Sequence, residues 1–200
     1  MPENPESVIR FWFGDASESP ATVASQAGLW FGGDPSFDEL IRSRFDTLLV
    51  RASAGELAPW QKDAQSSLAL TLILDQFPRN LYRGRPQSFD YDAQALEVAT
   101  RSIERGFDAE LSALQATFLY LPLEHAENAE VQERCVTLFR ALLVRAPVEL
   151  RPQFESFLAY AIRHQKVIDQ FGRFPHRNEV LKRHSTTEEL SYLAAGGDAF

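Results

Sequence analysis

An all-α chain of about eight or nine helices is what this sequence predicts, and three observations predict it. Capping residues recur in front of stretches whose apolar positions have helical spacing. No run alternates with period two over a useful length, so strands leave no signal. The stretch Leu68-Ala69-Leu70-Thr71-Leu72-Ile73-Leu74 is apolar in nearly every direction, which marks a buried central helix.

The elements follow in chain order. Asn4-Pro5 and Ser19-Pro20 each set a capping side chain before a proline at the first helical position, where its missing N–H costs nothing. The two short helices end in Trp12-Phe13-Gly14-Asp15 and Trp30-Phe31-Gly32-Gly33-Asp34. Glycine there takes the left-handed conformation, while the aromatic pair folds onto the core. Trp12, Trp30 and Trp60, with Phe11, Phe13 and Phe31, form either a core cluster or an exposed anchor patch; their place just inside the glycines favours the core. Asp34-Pro35 opens a helix to about Ala54, with Phe37, Leu40, Ile41, Phe45, Leu48 and Leu49 on one face. The central helix runs from Asp63 to Phe77. Asp92 and Asp108 are placed to cap the next two helices, separated by the helix-stopping Gly106. Asn128 caps a helix through about Arg145, with Val131, Cys135, Leu138, Phe139 and Leu142 inward. A last long helix spans about Glu149 to Phe171, and Thr186 with Glu189 forms the capping box of a short terminal one.

Composition bounds the rest. With 200 residues, 44% of them apolar, and no interior Pro/Ser/Gly-rich linker, a single domain over 1–200 is expected. A formal net charge of -8 and a pI near 5.1 repel phosphate backbones, so nucleic acid is not an expected partner. The start, Met1-Pro2-Glu3-Asn4-Pro5-Glu6, lacks the basic opening and long apolar stretch of a secretory signal. The longest apolar run falls far short of the roughly 20 residues that cross a bilayer, so no membrane association is expected. The lone Cys135 excludes an internal disulfide framework and fits a reducing compartment. The expectation is a cytoplasmic globular protein.

One phrase occurs twice. Leu74-Asp75-Gln76-Phe77-Pro78-Arg79-Asn80 is echoed by Ile168-Asp169-Gln170-Phe171, which continues through Gly172-Arg173-Phe174-Pro175 to His176-Arg177-Asn178. Each copy ends an apolar helical pattern with proline and then presents Arg and Asn. The residues upstream do not match, so this is no duplicated domain; two distant points carry the same local chemistry.

Phe11-Trp12-Phe13-Gly14, Leu74 to Arg83, Phe89 to Leu96, Phe118-Leu119-Tyr120-Leu121-Pro122-Leu123-Glu124-His125 and Phe171 to Asn178 resemble a bacterial family, domain of unknown function 924. The similarity covers nearly the whole chain, and Gly172 to Asn178 is its most specific part. The resemblance implies an all-α, tetratricopeptide-like packing of antiparallel helical hairpins around the central helix, and no activity. Two positions depart from the family pattern: Ala126, where serine often follows the histidine, and Lys182, where glycine is common. A chemical role for that serine would be lost here.

Helical geometry says where the polar residues point. The stripe Leu111, Leu114, Phe118, Leu121 continues to His125, and Pro122 interrupts the helix there, freeing the Phe118 carbonyl. His164 falls at the edge of the stripe Phe157, Ala161, Ile168, Phe171. Both histidines therefore turn inward, either as satisfied core residues or as walls of a shared polar pocket. Asp75 and Asp169 lie in the last turns of their helices, where the macrodipole disfavours a carboxylate. They need cationic partners, and the nearby Arg79, Arg173 and Arg177 are the obvious candidates, since guanidinium binds carboxylate through two parallel hydrogen bonds. In one reading these pairs only staple helix ends. In the other, Arg79, Arg173, His176 and Arg177 supply more cationic capacity than Asp75 and Asp169 consume, with Asn80 and Asn178 as neutral donors, and the surplus binds a small anion. Asn178 could equally cap a short helix through Arg183.

For acid–base chemistry the residues to test are His125, flanked by Glu124 and Glu127, and His176, backed by Asp169 or Glu179. No Gly-x-Ser-x-Gly elbow is present, and Cys135 falls on an apolar helix face. There is no His-Glu-x-x-His set, phosphate-binding glycine loop or dinucleotide fingerprint, so neither metal nor cofactor is expected. The sequence thus supports binding of a small anionic ligand in an Arg/His/Asn pocket. Its alternative is a helical scaffold that binds a protein partner and whose Arg–Asp pairs are structural.

Overall fold

The computed structural model describes residues 3–14 and 19–200; Met1 and Pro2 of the amino-terminal stretch and Asp15 of the first glycine stop lie outside them. The described residues hold ten α-helices, four short 3-10 helices and no strand; the α-helices are α1 Pro5–Phe13, α2 Pro20–Phe31, α3 Pro35–Ser53, α4 Ala64–Leu81, α5 Asp92–Glu104, α6 Phe107–Glu110, α7 Ala113–Glu124, α8 Ala129–Arg145, α9 Arg151–Phe171 and α10 Thr187–Ala194. Among them no helix is long and apolar enough to cross a membrane. Most starts are where the capping residues put them. Asn4, Ser19, Asp34, Asp63, Asn128 and Thr186 each accept a backbone N–H of the first helical turn.

α4 is the axis of the molecule. α1, α3, α5 and α7 pack around it, so nearly all of its side chains are buried, Asp75, Gln76 and Asn80 included. α7 leans on α8, and α8 on α9. Trp12 and Trp30 stack at 6.3 Å, Trp30 Nε1 donates to the Trp12 carbonyl at 2.8 Å, and both rings meet Phe118 of α7. Phe11, Phe13 and Trp60 pack against the core at its edge, whereas Phe31 is 54% exposed.

Several local expectations need correction. Gly32 is right-handed, and the next residue, Gly33, takes the positive φ of 70° that turns the chain out of α2. Leu40 is 51% exposed because α3 offers α4 a narrower face than its apolar residues cover. Asp92 and Asp108 are not caps: Tyr91 and Gly106 precede α5 and α6, and both carboxylates turn to other partners. The inward stripe Leu111, Leu114, Phe118 and Leu121 begins one turn too early, since α7 starts at Ala113 under a Ser112–Gln115 capping box and Leu111 lies before it. Pro78 does not end the central helix, which runs on to Leu81. The tertiary shell around α4 outweighs the single hydrogen bond that a proline removes.

Candidate functional site

Two helix ends meet at the centre of the polar cluster. Near the carboxyl end of α4, Asp75 is fully buried, with Oδ1 2.7 Å from His125 Nδ1 and Oδ2 accepting from Gln76 Nε2 at 2.6 Å. Burial alone would raise Asp75, but the Arg79 charge and the contacts with His125 bring it down to about 2. An ionised carboxylate only accepts, so the proton of the neutral His125 ring sits on Nδ1 and Nε2 keeps a lone pair. Burial, and after it the charge of Arg79, push His125 below the ordinary histidine range against the pull of Asp75. Its side chain is 14% exposed, and Nε2 has no hydrogen-bond partner among the described residues.

His125 caps the carboxyl end of α7, where Pro122 already lies inside the helix. That end is held from α8. The side-chain amide of Gln132 donates to the carbonyls of Leu123, Glu124 and Ala126 at 3.3, 2.6 and 2.8 Å. Four carbonyls at a helix end ordinarily lack partners, and one buried amide here serves two of α7's last ones and the turn after it. Ala126 adds only backbone contacts.

Glu124 is 5% exposed, and its carboxyl makes no hydrogen bond among the described residues; Oε1 lies 3.5 Å from His164 Nδ1. Burial, reinforced by the charge of Asp75, pushes this carboxyl up to about 8, so it is a neutral acid at neutral pH. His164 Nδ1 donates to the Tyr160 carbonyl at 2.9 Å, and burial takes this imidazole down to about 3. Its Nε2, like that of His125, is an acceptor without a hydrogen-bond partner among the described residues. The two rings are 6.4 Å apart between centroids. Phe200 stacks on His164 at 3.5 Å and Phe174 meets its edge at 5.5 Å.

The arginines divide into saturated and unsaturated. Arg79 grips Asp92 with both ends of its fork, at 2.9 and 3.1 Å, and donates to the Asp75 carbonyl at 2.7 Å. Arg173 pairs with Glu189 at 2.6 and 2.8 Å and donates to the His184 carbonyl. The expected cationic surplus is therefore mostly consumed. Arg177 is the exception. It is 7% exposed and lies over the faces of Phe174 and Phe89 at 4.4 and 4.8 Å. Of its five N–H donors, only one on Nη1 has an acceptor among the described residues, the His125 carbonyl at 3.1 Å. Its nearest carboxylate, Asp92, is 3.6 Å away and already holds Arg79, and its Nε is buried without a partner. Burial, with the charge of Arg79 behind it, lowers this guanidinium to about 10.

The repeated phrase thus converges through only part of its length. Arg79 of the first copy and Arg177 of the second meet on Asp92, beside His125. Asp169 is exposed, with no ion pair among the described residues, and takes no part. Asn80 faces away and donates to Asp38 at 2.7 Å. Asn178 is no helix cap, since turns follow it; it donates to Ser185 and Glu189 and accepts from Arg183. His176 packs beside Phe174 and Phe200, with Nδ1 buried and unpartnered, and is lowered to about 4 by burial and then by Arg177. Neither Asp169 nor Glu179 backs it. Lys182 is the one non-glycine among the described residues with a positive φ, 54°, which is the conformation glycine takes most easily. Sequence reasoning missed Asp92, Gln132 and the aromatic walls Phe89 and Phe174. Asp92 carried a signal, but the same pattern reads as a helix cap.

Two surface recesses, one lined by residues of α1 and α4 and the other along α3, do not include these residues. No group of three or more His, Cys, Asp or Glu among the described residues is placed to hold a metal ion.

The model of a family described as bacterial protein of unknown function (DUF924) matches residues 8–197. A solved structure of a protein of unknown function from Agrobacterium tumefaciens is 35% identical, covers 96% of this chain and 97% of its own, and superposes with a TM-score of 0.81. No curated protein matches the chain.

Proposed function

Since the chain belongs to the bacterial family DUF924, whose description assigns no activity, we propose from its own geometry that it binds a small anionic molecule at Arg177, beside His125. The observation that carries this reading is the under-partnered guanidinium. A buried cation with a single hydrogen bond is costly to keep, and a carboxylate or phosphate is the group that completes a planar fork. The neighbouring chemistry suits proton transfer. His125 is oriented by an ionised Asp75 through Nδ1, which leaves Nε2 as a base, and Glu124 stands next to it in sequence as a neutral acid.

The test is thermal unfolding of the wild type and Arg177→Ala in low-salt buffer, with phosphate or acetate added. The wild type should gain several degrees at saturating anion, and Arg177→Ala should gain none. Arg173→Ala, whose guanidinium serves Glu189, should keep the gain. Equal gains in wild type and Arg177→Ala would sink the reading.

A second reading has its own support. Arg79–Asp92, Arg173–Glu189 and Arg183–Glu127 are closed pairs at 2.9, 2.6 and 2.6 Å, as expected of structural staples. A tetratricopeptide-like stack of hairpins could then serve as a scaffold, with Val144 and Val148 exposed near the turn between α8 and α9. A protein partner captured equally by wild type and Arg177→Ala would favour it.

A further inference from the structure

His125 and His164 share a feature that an anion site alone does not need. Each ring gives its Nδ1 hydrogen to a group that can only accept, the Asp75 carboxylate in one case and the Tyr160 carbonyl in the other. The tautomers are therefore fixed, and both Nε2 atoms present lone pairs. Neither has a donor among the described residues; the His125 side chain is 14% exposed and that of His164 3%. The carboxyl of Glu124 lies against Nδ1 of His164, the other side of that ring. A plain carboxylate or phosphate offers only acceptors to these nitrogens and leaves both unpaired in a largely buried site, at the cost of their desolvation.

Resting on the anion-binding reading above, we infer that the guest is a small acid with a hydroxyl or amino group close to its anionic group. Arg177 takes the anion, and the Nε2 atoms of His125 and His164, on rings 6.4 Å apart, accept from the second group, an amino group serving both and a hydroxyl one of them. Phe174, against both Arg177 and His164, joins the two halves of the site. A site built to accept a hydrogen from its ligand discriminates strongly against the analogue that lacks it, because the acceptor is then buried unpaired.

Calorimetric titration of the full chain with matched ligands tests this. Lactate and alanine are compared with propionate, and glycerol phosphate with propyl phosphate, so that the two arms also separate carboxylate from phosphate. In the arm that binds, a hydroxyl- or amino-bearing member should bind about tenfold or more tightly than its plain counterpart. His125→Phe and His164→Phe should each reduce the ratio for the amino-bearing ligand, because a phenyl ring accepts no hydrogen bond in the plane of the lost Nε2. Should either variant fail to fold, the wild-type ratio decides by itself. Equal affinity within each arm overturns the inference but leaves anion binding standing, provided Arg177→Ala abolishes it. Absence of binding in every arm overturns both.

Discussion

Asp75 and Asp169 occupy the same place in the same phrase, each preceded by an aliphatic residue and followed by Gln-Phe, yet their surroundings have nothing in common. Asp75 is fully buried, hydrogen-bonded to His125 and charged because Arg79 is beside it; Asp169 is exposed. The elements that carry them explain the contrast. α4 is covered on all sides, so whatever residue it holds is drawn into the interior. α9 packs on α8 and α7 and keeps an open face, so Ile168 points inward and the next position does not. The two prolines diverge in the same way. Pro78 continues inside α4, whereas the second copy inserts Gly172, whose φ of 69° stops α9 before Pro175 opens a short 3-10 turn. Identical local sequence fixes chemistry on offer, and packing decides which copy uses it.

The largest expected effect breaks this comparison outright. Asp75→Ala strips His125 and Gln76 of their buried acceptor and leaves Arg79 with Asp92 as its one carboxylate, and should cost about 3–5 kcal/mol in urea unfolding, whereas Asp169→Ala should stay within about 0.5 kcal/mol. Similar losses in both would mean that burial does not separate the two copies.

Next comes pH. Glu124 titrates at about 8 in the folded chain against an ordinary value of 4.5, so between those values the native state holds the proton and the unfolded state releases it. Its contribution to stability is therefore lost as pH rises through that window. Glu124→Gln should remove this loss, so the variant's advantage over wild type in thermal unfolding grows from pH 5 to 8, at a slope of up to ~1.4 kcal/mol per pH unit. A pH-independent difference would show that Glu124 is ionised throughout.

The smallest effect sharpens the description of the second copy's loop. Lys182 takes a left-handed backbone that disfavours a side chain, so Lys182→Gly should stabilise the chain by about 0.5–1 kcal/mol, after the greater freedom of glycine in the unfolded state is subtracted. A shift of the urea midpoint in the opposite direction would place the benefit in the lysine side chain instead.

Much of the fold is legible in the residues. Asn4, Ser19, Asp34, Asp63, Asn128 and Thr186 announce their helices because capping is local chemistry. The inward turn of His125 and His164 follows from helical periodicity. Asp92 is not legible in this way, since an aspartate before an apolar run looks like a cap whether or not a distant arginine claims it. Asp169 misleads because a matching phrase carries no information about which helix face it lands on. The spare cations are overcounted from sequence because Asp92 and Glu189, which neutralise Arg79 and Arg173, lie more than ten residues from them.

The end of α7 depends on a single side-chain donor, that of Gln132. One fully buried nitrogen atom holds three carbonyls, and Gln132→Glu would exchange that donor for an oxygen facing all three. The new carboxyl would also arrive beside Glu124. One substitution at a side chain that touches no ligand would thus be enough to unmake the turn that carries both Glu124 and His125.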